Sequence, residues 1–254
     1  MINTHIENNV LTIQLNRPEA MNALSDALLK AVAEALLDAK ENADIGAVVI
    51  TGNEKAFAAG ADISVMAGMD AAGMKSENLL QAEMDEISNF PKPMIAAVTG
   101  YALGGGFELA LACDIIVVAP DATLGLPEIN LGIIPGMGGT QRLIRAVGKS
   151  KASEMIMTGN FISGEDAYRL GIASQVVDVS ETLIQAQTLA TKIARKPRLA
   201  LKAAKQALSD AQDLGLGAGL KAENNLFFDL FDTHDQKEGM AAFLEKRKPN
   251  FENR

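Results

Sequence analysis

Glu108 and Glu128 are the side chains best placed to do chemistry, because each interrupts an apolar stretch. Glu108 lies between Phe107 and Leu109 in a segment otherwise apolar all round. Its carboxylate is therefore expected to be buried or to line a cleft. Burying an unpaired carboxylate raises its pKa, toward the range where acid/base catalysts work. A glutamate in the first turn of a helix also answers the positive end of the helix dipole, and the residue types leave both readings open. Glu128 follows Pro127 at the end of a short apolar strand and precedes the mostly apolar INLGII. Alone, a Pro-Glu pair is an ordinary surface loop. Two carboxylates, each placed just after a buried strand, suggest a paired acid/base site. The pairing does not choose a reaction.

Gly104, Gly105 and Gly106 precede Glu108 and follow a strand. Free N–H groups at a helix start bind negative charge, and glycine lets a ligand come close to the backbone. Three glycines also make an ordinary tight turn. The run is neither a GxxxxGK[ST] phosphate loop nor a GxGxxG dinucleotide turn. No GxSxG occurs, and Cys113 sits in an apolar run with no histidine nearby, so it reads as a small core residue.

A single cysteine excludes an internal disulfide, and His5 and His234 lack metal-ligand spacing. We therefore expect no metal. The net charge of −9 disfavours a polyanion partner, so no nucleic acid is expected. A phosphorylated small molecule remains possible through a few local cations. The MINTHIENN start lacks the features of a secretory signal or a transit peptide, and no apolar run reaches membrane-span length. The expectation is a bacterial-type cytoplasmic protein without a membrane partner.

The elements that must hold these residues follow from pattern. Ile2–Glu7, the Asn8-Asn9 turn and the alternating Val10–Leu15 predict a β-hairpin. Ser25 caps a helix to about Glu41 with a stripe of Leu28, Leu29, Val32, Ala35 and Leu36. Ala47–Thr51 and Met94–Val98 read as buried strands. A helix over Leu79–Phe90 stops at Pro91 and Pro93. A short helix Phe107–Ala112 and strands Asp114–Ala119 and Thr123–Leu126 follow. The alternation to about residue 180 predicts a mixed α/β core with parallel pairings. From Glu181 the pattern is helical, with breaks at Pro197, Gly215–Gly219 and Asp232–Asp235. The boundary falls near residue 195, separating a core (1–195) from a helical region (196–254). That region has few strands to cover, so it is expected to pack on another subunit.

Three segments, Lys55–Ser64 (KAFAAGADIS), Gly100–Asp114 (GYALGGGFELALACD) and Leu126–Leu143 (LPEINLGIIPGMGGTQRL), resemble the crotonase (enoyl-CoA hydratase/isomerase) superfamily in order and spacing. The similarity runs from LNRPEAMNAL (Leu15–Leu24) to FLEKRKPNF (Phe243–Phe251) and is greatest to bacterial short-chain enoyl-CoA hydratases, those of the phenylacetate pathway included. The resemblance implies an α/β fold: a spiral of ββα turns with a C-terminal helical trimerisation region, two trimers stacking as a hexamer. It implies an oxyanion hole of two backbone N–H groups at Ala61 and Gly105, and catalytic roles for Glu108 and Glu128. Keeping both glutamates is similar to the hydratases, whereas many isomerases of the family keep only the second. Gly136 matches a glycine that leaves room near Glu128 and its water.

For the acyl-CoA thioester substrate, the resemblance implies contacts from Ala59, Ala61, Asp62, Ile63 and Ser64. Lys246, flanked by Phe227 and Phe243, matches a lysine reaching a CoA phosphate on a neighbouring subunit. Ser64 stands where some relatives carry a lysine. CoA belongs to the substrate, so no cofactor is implied. Met66–Asn78 is expected to wall the acyl pocket, its methionines adapting to several chain lengths.

Overall fold

The structure, a computed structural model, describes residues 1–77 and 80–254. β1 (Ile2–Glu7) and β2 (Val10–Leu15) form the expected hairpin, with Asn8 and Asn9 at φ 52° and 62°. The Ser25 hydroxyl accepts from Leu28 N–H at 3.3 Å and starts α1 (Asp26–Glu41). Then come β3 (Ala47–Thr51), β4 (Ala56–Ala58), and two short helices, α2 (Ile63–Met66) and α3 (Ala71–Glu77). α4 spans Gln81–Ser88. Its expected start at Leu79 lies outside the described residues.

β5 (Met94–Val98), β6 (Tyr101–Leu103), α5 (Gly105–Ala112), β7 (Ile115–Val118) and β8 (Thr123–Gly125) lead to a 3-10 turn at Pro127–Leu131. The long α6 (Gly139–Thr158) has no counterpart among the expected elements. Gly148, at φ 76° and ψ 168°, kinks it and weakens its helical pattern in sequence. β9 (Ile162–Ser163), α7 (Gly164–Arg169) and β10 (Gln175–Val176) complete the core strands. Four helices follow: α8 (Val179–Ala194), α9 (Arg198–Asp213), α10 (Leu216–Asp229) and α11 (His234–Leu244). The break expected at Gly215–Gly219 is confined to its first residue, and Gly217 and Gly219 sit inside α10.

The strands form two sheets, one ordered β1-β2-β3-β5-β7-β10 and one ordered β4-β6-β8-β9. From β3 to β8 the chain steps between them strand by strand, which makes the successive turns of a spiral. All pairings are parallel except β1–β2 and β8–β9. Between the sheets lies one apolar core that includes Ile50, Phe57, Val98, Phe107 and Leu124. α8 closes the other face of the larger sheet, where Ala186, Ala190 and Ala194 pack on Val10, Val49 and Ile95. This covers a face of β2 that its alternation in sequence did not mark as buried.

α9 and α10 bury no residue of their own. α9 is held to the core by Lys205, whose Nζ meets Asp114 Oδ2 at 2.8 Å and donates to Lys92 O at 2.9 Å. Phe227, Phe228, Phe243 and Leu244 are exposed on the later helices. No helix among the described residues is long and apolar enough to cross a membrane.

Candidate active site

α5 follows β6 directly, and its first turn carries much of the site. Gly104, the N-cap, has φ 48° and ψ −126°, a conformation that costs a side-chain-bearing residue dearly. It also cedes space: a Cβ here would stand 2.8 Å from Glu128 Oε1. Gly105 opens the helix, where no earlier turn supplies an acceptor for its N–H.

Ala61 follows β4. Its neighbours bond to Leu24, through Leu24 N–H to Gly60 O (2.7 Å) and Asp62 N–H to Leu24 O (2.8 Å). In such a parallel bridge the intervening N–H points away from Leu24. Ala61 N lies 3.4 Å from where a Cβ on Gly105 would stand, so the two amides are neighbours. Among the described residues, neither donates to another protein group. Two adjacent, unengaged N–H groups are suited to a developing oxyanion.

Glu108 is 2 % exposed. It is not unpaired. Its Oε1 accepts from Met137 N–H at 2.8 Å and Gly139 N–H at 2.7 Å, both from the turn that starts α6. Burial raises its pKa, while the two amides and the Arg142 charge oppose the rise.

Glu128 sits in the first turn of the 3-10 segment after β8. Its Oε2 is buried without a hydrogen-bond partner among the described residues. Burial, with the neighbouring Glu108 charge adding to it, pushes its pKa up to about 7. One carboxyl is thus held by amide donors, and the other is poised to carry a proton near neutrality. That asymmetry suits a pair sharing acid and base work.

The remaining expected residues divide into two groups. Ala59, Ala61, Asp62, Ile63 and Ser64 form one strip beside the amides, with Ile63 and Ser64 exposed. Asp62 already has structural partners: it caps α2 through Ser64 and pairs with Arg17 at 2.8 Å. Gly136 is exposed, and a Cβ on it would meet nothing within 4 Å, so room exists there. Phe227, Phe243 and Lys246 lie on or after the last helices, and no hydrogen bond or ion pair among the described residues ties them to that strip. Phe227 packs edge-on against Phe228 and Phe231.

The expected wall, Met66–Asn78, contains the end of α2 and all of α3, and Asn78 lies outside the described residues. Val65 and Met66 line a small cavity with Leu24 and Leu80. A cleft of about 570 Å³ between β2 and α8 is lined by neither Glu108 nor Glu128. Cys113 is buried, with its pKa pushed up to about 12, and its thiol donates to Leu109 O, as fits a core residue. No cluster of three or more metal-ligating side chains occurs among the described residues.

Sequence reasoning missed Met137, Gly139 and Arg142. Their only signal was the GMGGTQR run, read there as a turn near Glu128 rather than as the support of Glu108.

Residues 5–254 match the enoyl-CoA hydratase/isomerase family. The chain is 49% identical over 248 residues to the 2,3-dehydroadipyl-CoA hydratase of Escherichia coli, covering 98% of this chain and 97% of that protein. It is 46% identical to the mitochondrial enoyl-CoA hydratase of Pongo abelii, covering 97% of this chain and 84% of that one. Its structure superposes with a TM-score of 0.94 on an enoyl-CoA hydratase from Bacillus anthracis, at 40% identity, over 100% of this chain and 99% of that chain. On this match and these identities, the chain belongs to the enoyl-CoA hydratase/isomerase family.

Proposed function

We propose that this chain is an enoyl-CoA hydratase that adds water reversibly, in syn fashion, to a trans-2-enoyl-CoA to give a 3-hydroxyacyl-CoA. The observation that carries this reading is the contrast between Glu108, held by two amides, and Glu128, whose Oε2 is buried without a partner among the described residues. A hydration needs a group to take a proton from water and another to deliver one to C2. Glu108, its carboxylate steadied by two N–H donors, takes the water proton as the oxygen bonds to C3. Glu128, protonated up to about pH 7, gives its proton to C2, which receives the electron pair of the broken double bond. The two carboxyls titrate as a coupled pair, so their pH behaviour belongs to both. Negative charge grows on the thioester oxygen during the step, and the Ala61 and Gly105 amides meet it there.

The CoA moiety lies along Ala59–Ser64, with Lys246, Phe227 and Phe243 contributed by a neighbouring subunit of a trimer or a hexamer of two trimers. The apolar surface of the C-terminal region, residues 196–254, supports that assembly: Phe243 and Leu244 are 82% and 80% exposed in the single chain. The enzyme works in the cytoplasm, in fatty-acid or phenylacetate breakdown, on acyl-CoA alone, without a cofactor, metal, nucleic acid or membrane partner.

The test is direct. Purified protein given crotonyl-, longer-chain and dehydroadipyl-CoA should abolish the conjugated enoyl-thioester absorbance, at rates that rank the acyl groups. Isomerisation of a 3-enoyl-CoA without hydration of any 2-enoyl-CoA would overturn the assignment.

A further inference from the structure

Arg142 lies one turn into α6, its side chain half-buried against α4 and the turn before α6. Nη1 donates to Met137 O at 2.9 Å and Nη2 to Ser88 Oγ at 2.8 Å, while its backbone N–H donates to Gly138 O at 2.8 Å. Gly138, at φ 102°, makes the arrangement possible, since any Cβ there would collide with Nη1. The guanidinium thus fills the place of the missing side chain and grips the turn from behind. The front of the same turn, Met137 N–H and Gly139 N–H, holds Glu108 Oε1.

We propose that Arg142 is a positioning residue for the hydration: it fixes the Met137–Gly139 turn, and through that turn's two amides it sets the place and charge state of the Glu108 carboxylate. The proposal rests on the hydratase reading of the site. Arg142 touches no substrate in this account and acts only through Glu108.

Both faces of the turn must be satisfied together, because Met137 offers its N–H to Glu108 and its carbonyl to Arg142. Loss of the guanidinium frees the carbonyl, and the peptide plane can then rotate its N–H off Glu108. The titratable groups around this unit are few. Glu108 and Cys113 face Arg142 from α5 and Asp85 faces it from α4, while Glu128 faces Glu108 from the 3-10 turn. Arg142 is the one cation acting on Glu108 among them. Its removal therefore leaves the ionised form of Glu108 less stabilised, and the acid form persists to higher pH.

The experiment compares Arg142→Met and Arg142→Lys with the wild type, following crotonyl-CoA hydration from pH 5 to 9. Arg142→Met is expected to lower kcat by about 100-fold, the cost of a slightly misplaced catalytic group, with KM little changed. Its acidic limb should move to higher pH. Arg142→Lys keeps the charge but not the fork, so its acidic limb should stay in place while kcat falls by about ten-fold. Wild-type kcat and an unmoved limb in both variants, with only a lower Tm, would make Arg142 a purely structural residue and overturn the proposal. Should Arg142→Met not fold, Arg142→Lys decides alone on the same kcat and KM criteria. A wild type that hydrates nothing overturns the activity reading and this proposal with it; an active wild type with unaffected variants overturns this proposal only.

Discussion

Gly104 and Glu128 share one volume: the space a side chain would fill at residue 104 is occupied, to within 2.8 Å, by the Glu128 carboxylate. The Glu128 carboxylate is therefore seated by what the helix cap lacks.

Gly104→Ala should show this directly. The added carbon must push Glu128 aside and also hold φ 48° with ψ −126°, a strain of about 1–3 kcal/mol. We expect kcat to fall about 100-fold and Tm to drop by several degrees. Steady-state kinetics and calorimetry on the same sample check both. Wild-type kcat would mean that Glu128 works from elsewhere.

The pKa of Glu128 gives a prediction in pH. With this carboxyl protonated for hydration, the rate should decline as pH rises through about 7. Stability follows the same sign. The folded protein holds this proton more tightly than the unfolded chain, whose value is near 4.5, so this site favours unfolding increasingly as pH rises from about 4.5 to 7. Glu128→Gln removes the penalty. It should lose about 100-fold or more of the turnover yet melt higher than wild type at pH 8, with the gap closing toward pH 5. Thermal melts at the two pH values read the sign.

Glu108→Gln keeps an oxygen able to accept from Met137 and Gly139, so the turn should stay closed. The base is gone. A loss of about 100- to 10,000-fold in kcat is expected, with substrate affinity and circular dichroism near wild type. Near-normal turnover would remove Glu108 from the reaction.

Gly105 allows its N–H to be separated from its lack of a side chain. Proline is tolerated at the first position of a helix, where it removes an amide the helix does not use; a circular dichroism spectrum and melt check that the fold survives the added ring. Gly105→Pro should cost about 100- to 1,000-fold in kcat. Gly105→Ala retains the donor, and its Cβ meets chiefly the flexible end of Met137, so it should stay well above the proline variant. Equal rates for the two would refute a role for this amide.

What could be read in advance follows the range of the interactions. The hairpin was legible because alternation and two adjacent asparagines are local signals, and α1 because Ser25 and the leucine stripe are. β4, β6 and β9 span only two or three residues each, too short to carry a period, so of the second sheet only β8, expected over Thr123–Leu126, was legible. Burial of Val10 and Thr12 depends on α8, some 170 residues later, and no pattern within β2 announces it. The oddness of Glu108 in an apolar helix was plain, but its partners arrive from residues 137 and 139. Chain folding, not composition, makes that carboxylate tolerable.

The opening turn of α5 has a consequence for how such a site can diversify. Its first residue, Gly105, carries the free amide and its fourth, Glu108, the buried carboxylate, so the spacing between them is set by helical pitch and resists adjustment. Glu128 rides on a separate loop. New reactions on this scaffold are therefore reached most easily by redrawing the loop and leaving the helix untouched.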